Sequence, residues 1–225
     1  MTAPKLVTFD VYSALLDIEG SLTAALAEAL GLAPDEARPL VRIWRAKQLE
    51  RAAASNSLGL GRTRFRDATA MALDYVIGRH GLDLADGRHK ALVLAWDRIQ
   101  AWPEAGEVVG EVKARGIPVA ILSNGDQDML EAVAAHNGLA FDHIFSSESA
   151  GAYKPHPDVY ALPCRELGLA KDEVLHVAGS ANDVLGAAAY GLPCLWSNRS
   201  GDAIVDPAYP PDHEVADLKG LLDVL

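Results

Sequence analysis

Apolar and polar positions along the chain fall into two regimes. Residues 5–9 (KLVTF) form a short run of strand-forming residues that ends on Asp10, a length and composition suited to a buried strand. From residue 17 to residue 103 the spacing turns helical, with Ala- and Leu-rich stretches SLTAALAEAL, PLVRIWRAKQLERAAA and RDATAMALDYVIGRH, and no strand pattern interrupts it. After that the two periods alternate. Helical PEAGEVVGEVKARG is followed by IPVAILSNG (strand and turn), DMLEAVAAHNG (helix), FDHIFSSE (strand), HPDVYALPCRELG (helix), DEVLHVAGS (strand), NDVLGAAAYG (helix) and LPCLWSN (strand). The Pro-rich DPAYPPDHE near residue 210 reads as a surface loop.

Strands alternating with helices predict an α/β fold, a parallel sheet covered on both faces and wound through right-handed crossovers. The expected organisation is a core from residues 1–16 and 104–225 with an all-helical insertion at 17–103. Ligands of such sheets sit outside the carboxyl ends of the strands, where strand order reverses. Those ends carry Asp10, then Ser123, Asn124 and Gly125, then Lys154 in the loop after DHIF, then Ser180 through Asp183. A carboxylate, a hydroxyl with an amide, an ammonium and a second carboxylate converge there, which is what chemistry at a nucleophilic carboxylate requires.

Composition narrows the setting. The 225 residues are 50% hydrophobic and 23% charged, as in an ordinary folded protein. Against 31 Asp and Glu stand 20 Lys and Arg, a formal net charge of −11. No basic stripe exists to neutralise a phosphate backbone, so no nucleic-acid partner is expected, whereas a small anion needs only two or three placed donors. Cys164 and Cys194 lack any metal-ligand spacing and read as core thiols. The opening MTAPKLVTFD lacks the apolar stretch of a secretion signal, and charge interrupts every longer apolar run, so a cytoplasmic location without membrane contact is expected.

Five segments in order resemble the haloacid dehalogenase-like superfamily, and within it the L-2-haloacid dehalogenase branch: FDVYSALLD, WRAKQLE, AILSNG, YKPHPDVY and VAGSANDVLGAAAYGLPCLWSNR. The resemblance covers essentially the whole chain. It implies a Rossmann-like core with a helical cap, a nucleophilic aspartate, no required metal or other cofactor, a small 2-haloacid as substrate, and a homodimer.

On that resemblance, Asp10 attacks the carbon bearing the halogen and forms an ester that water cleaves. As a bland alternative, an Asp at a strand end caps the following turn. Lys154 keeps Asp10 ionised by charge pairing. Asp183 holds Lys154 and positions or deprotonates water. Ser123 and Asn124 match the pair that binds the substrate carboxylate or the nucleophile, though SNG is also a plain turn. Arg45 in the cap receives halide or the substrate carboxylate, a task suited to a permanently charged planar fork; an exposed helix Arg, as Arg42 or Arg51 reads, is the other option. Tyr12, Val11, Leu49, Phe65, Asn182 and Tyr160 match positions around the substrate; Leu49 and Phe65 also fit a helix core, and Tyr160 also fits helix packing.

Tyr12 separates two chemistries. Phosphatases of the superfamily carry a second Asp two residues after the nucleophile, because an alkoxide leaving group needs a proton. Halide needs none. Three departures stand against the branch pattern. Tyr12-Ser13-Ala14 replaces Tyr-Gly-Thr, which predicts loss of a hydroxyl that steadies the nucleophile. Ala178 replaces a serine. Ser180 and Asn182 replace an asparagine and a tryptophan. Rival expectations are therefore a magnesium-dependent phosphatase and a weakly catalytic small-carboxylate binder.

Overall fold

The computed structural model describes residues 3–59, 61–85 and 87–225. The first two residues of the predicted core and positions 60 and 86 of the predicted insertion thus lie outside it. Six parallel strands form one sheet in the order β3-β2-β1-β4-β5-β6. They are β1 (Leu6–Phe9), β2 (Val119–Ser123), β3 (His143–Ser146), β4 (Val174–Ala178), β5 (Cys194–Ser197) and β6 (His213–Val215).

The stretch after β1 begins with α1 (Ile18–Leu30), α2 (Pro34–Leu58), α3 (Phe65–His80) and α4 (Arg88–Ala95). Then come α5 (Ala105–Ala114), α6 (Gln127–His136), α7 (Ser147–Ala150), α8 (Pro157–Leu167), α9 (Ala181–Tyr190) and α10 (Leu221–Val224). No helix is long and apolar enough to cross a membrane among the described residues.

Side-chain alternation along the strands builds both layers. Val7, Phe9, Val119, Ile121, Leu175 and Val177 face α5 and α6 through Val108, Val112, Met129 and Val133. Leu6, Ala120, Leu122, Val174 and Ala178 face α8 and α9 through Val159, Leu162, Val184 and Ala187. The chain runs outward from β1 to β2 and β3 on one side and resumes at β4 on the other, so the carboxyl end of β1 is the switch point. Asp10 follows it directly.

The helical stretch leaves and rejoins the sheet at one place. Asp17 N donates to Gln100 O at 2.8 Å and Trp102 N to Leu15 O at 2.9 Å. Between β1 and that junction, Val11–Leu15 form one π-helical turn packed on the end of β4. A Cβ at Gly179 would stand 2.1 Å from the carbonyl carbon of Ser13, so only glycine admits that turn.

Two expectations need correction. The stretch taken as a loop near residue 210 is one as far as Asp212, but its last two residues open β6, with His213 beside Leu195 and Val215 beside Ser197. Its three residues are too few, and too exposed, for alternation to show. Cys194 is buried on β5, but Cys164 is only half-buried, because α8 turns that position toward its rim.

Candidate active site

Asp10 is 6% exposed, and its two oxygens have separate partners. Oδ2 accepts from Ser13 N at 2.9 Å and Ser13 Oγ at 2.5 Å. Oδ1 accepts from Ser123 Oγ at 3.1 Å and Lys154 Nζ at 3.4 Å. Oδ2 thus caps the following turn, while Oδ1 faces the hydroxyl and the ammonium. The expected loss of a steadying hydroxyl is overturned. Ala14 carries none, but the wide π-helical turn swings Ser13 round to the carboxylate in its place.

Lys154 joins two carboxylates. Its Nζ lies 2.9 Å from Asp183 Oδ2 and 3.4 Å from Asp10 Oδ1, and it is held between the end of β1 and the start of α9. Asn124, at the end of β2, fixes the lysine's backbone by accepting Lys154 N on its Oδ1 at 2.8 Å. Asp183 is saturated: Oδ1 accepts from Tyr160 OH at 2.8 Å, and Oδ2 takes His176 Nε2 at 3.0 Å besides the ammonium. Burial pushes the Asp183 carboxyl up, but Lys154 and then His176 outweigh it and hold the group well below the usual carboxylate range. A carboxylate so committed is a weak base, which favours the lysine-holding role over deprotonating water. Among the described residues no group of three or more His, Cys, Asp or Glu side chains is placed to hold a metal ion.

Opposite the sheet ends, α2 supplies Arg45. Its guanidinium lies 5.6 Å from the ring centres of both Tyr12 and Trp96 and donates from Nη1 to Gln48 Oε1 at 2.5 Å. Burial lowers its proton affinity while the Asp10 charge raises it, so the two face each other electrostatically. Burial also pushes the Tyr12 phenol far up, and the residue lines the cavity described below. Behind the Tyr12 ring, Phe65 packs at a tilt with ring centres 5.6 Å apart, and Tyr153 packs likewise on Phe65 at 5.9 Å.

Between these walls opens a cavity of about 850 Å³ lined by Asp10, Tyr12, Arg45, Lys154, Asp183 and their neighbours. Ser123, Asn124 and Ser180 of the sheet edge reach it, as do Leu49 and Asn182. Ser180 also caps α9. Three sequence candidates do not line it. Val11 points into the core, Phe65 is consumed in the aromatic cluster, and Tyr160 is buried beneath Asp183 with its hydroxyl spent there. A Cβ at Gly186 would lie 2.3 Å from that hydroxyl, so the glycine on α9 makes the room.

Sequence reasoning missed Ser13, His176 and Thr8. The signal for the last two was a polar residue inside each of two otherwise apolar strands, LVTF and VLHVA. They pair in register, with His176 Nδ1 2.8 Å from Thr8 Oγ1.

A family model for haloacid dehalogenase-like hydrolases matches residues 4–191. The chain is 35% identical over 222 residues to the (S)-2-haloacid dehalogenase of Pseudomonas sp. (strain YL), spanning 98% of this chain and 94% of that one. A solved dehalogenase with an intermediate complex is similar at TM-score 0.93 and 30% identity, over 100% of this chain and 98% of that one. The L-2-haloacid dehalogenase of Xanthobacter autotrophicus with chloropropionic acid covalently bound is similar at TM-score 0.86 and 28% identity, over 98% of both chains.

Proposed function

The chain belongs to the haloacid dehalogenase-like hydrolases, and on that footing we propose that it hydrolyses short 2-haloacids through an ester on Asp10. A carboxylate oxygen of Asp10 forms a bond to C2 while the carbon–halogen bond breaks and its electron pair leaves with halide. Water then adds to the Asp10 carboxyl carbon, and the acyl C–O bond breaks. One water hydrogen goes to the departing alkoxide, the other leaves as a proton, and the products are a 2-hydroxy acid, halide and free Asp10.

The observation that carries this reading is Asp10 at the cavity floor, paired with Lys154 and faced by Tyr12 and Arg45, with no second carboxylate two residues on. Arg45 suits the departing halide or the substrate carboxylate, and Ser123, Asn124 and Ser180 suit the remaining polar contacts. Tyr12, Leu49 and Asn182 form the wall around the side chain of the acid. The helical residues 17–103 act as the cap over a core of 1–16 and 104–225. A cytoplasmic location and a homodimer belong to the same reading.

The test is halide release from chloroacetate and 2-chloropropionate beside p-nitrophenyl phosphate hydrolysis, each with and without magnesium. Halide release that is independent of magnesium and lost in Asp10→Asn is expected. Magnesium-dependent phosphate release without halide would contradict it in favour of a phosphatase, and silence in both assays in favour of a carboxylate binder.

A further inference from the structure

A buried imidazole stands behind the charged pair, and nothing in the reaction as derived uses it. His176 and Thr8 are both fully buried, side by side on β4 and β1, and both point to the α8 and α9 face. An ionised carboxylate only accepts hydrogen bonds, so at 3.0 Å from Asp183 Oδ2 it is His176 Nε2 that carries the hydrogen. The Thr8 hydroxyl, 2.8 Å from Nδ1, fixes the ring from behind. The same Nε2 lies 3.3 Å from Lys154 Nζ, so imidazole and ammonium crowd one carboxylate oxygen from adjacent sides.

We propose that His176, steadied by Thr8, is a positioning residue that makes Lys154 share Asp183 and so keeps its ammonium within reach of Asp10 through the ester stage. The inference rests on the aspartyl-ester reaction proposed above. Before alkylation, Lys154 is drawn to two carboxylates. Once Asp10 is an ester its charge is gone, and Asp183 alone attracts the ammonium. His176 fills the adjacent side of Oδ2 and limits that collapse. Lys154 then stays beside the Asp10 carboxyl, where negative charge develops as water adds.

Removing the imidazole therefore slows ester hydrolysis in particular. The groups facing Asp183 are Lys154 from the loop before α8, Tyr160 from α8, His176 from β4 and Cys194 from β5, with Asp10 reaching it through the shared Lys154 ammonium. Loss of the His176 donor, like loss of Lys154, raises the pH at which Asp183 gains a proton.

The experiment compares His176→Leu with His176→Gln, whose carboxamide N–H can still donate to Asp183. With 2-chloropropionate, His176→Leu is expected to lower kcat by roughly a hundredfold without raising KM. Acid-quenched protein should show a larger mass fraction alkylated at Asp10 than the parent, and the acid limb of kcat should move to higher pH. His176→Gln should recover most of the rate. A His176→Leu protein with parental kcat and parental ester fraction overturns the proposal, as does equal loss in both variants without ester accumulation. If the parent protein itself releases no halide, the proposed reaction falls and this role with it; a parent that turns over beside unresponsive variants sinks this role alone.

Discussion

At the scale of single residues, the nucleophile is set by what reaches each of its oxygens. Ser13 donates twice to Asp10 Oδ2, from backbone and hydroxyl. Ser13→Ala should cut kcat for halide release by about a hundredfold, since one preorganised donor at a charged centre is worth that much. Thermal unfolding should barely change, because the backbone N–H still caps the turn. Equal rates for the two proteins would show that the hydroxyl contributes nothing. Asp10, Ser123, Lys154 and Asp183 were legible in the sequence because each lies at or beyond the carboxyl end of a strand, and strand ends of a parallel sheet meet. Ser13 was not, because its aim depends on a turn wider than the α-helical period. Nor was His176, whose partner on β1 is fixed by strand register and not by spacing along the chain.

At the scale of elements, the two halves are joined by a cap supplied in trans. Asp126, fully buried after β2, accepts from Phe65 N at 2.9 Å and Arg66 N at 3.0 Å, the first turn of α3, and pairs with Arg62 at 2.7 Å. Burial raises its carboxyl, but the two backbone donors and Arg62 overcome this and leave it below its ordinary value. A carboxyl lowered in the folded state binds fewer protons than the unfolded chain. Its stabilising effect is thus present above the unfolded value near ~3.9 and is lost as pH falls through the folded one. Asp126→Asn should unfold at a lower temperature than the parent at pH 7, with the gap closing as the solution is acidified below about pH 4. A gap that is constant across that range would contradict this account of α3. The longer helices and five strands of the fold could be read from hydrophobic period, whereas the four-residue α7 and α10 could not. The sixth strand could not, being three residues long beside prolines.

At the scale of the molecule, the proposed reaction asks a chain with net charge −11 to hold an anionic acid. Arg45 from α2 and Lys154 from the carboxyl ends of the strands line one cavity at the switch point, which answers that demand. The segment matches located those groups and the Lys154–Asp183 pairing, while the folded chain adds that Tyr160 and His176 also donate to Asp183. The central claim is that Asp10 itself becomes the ester and that water enters at its carboxyl carbon. Many turnovers of 2-chloropropionate in oxygen-18 water, followed by mass analysis of the peptide containing Asp10, test it directly. The account predicts heavy oxygen in the Asp10 carboxylate; a peptide without it, from protein that has released halide over many turnovers, would mean that water attacks the substrate and that Asp10 is not the nucleophile.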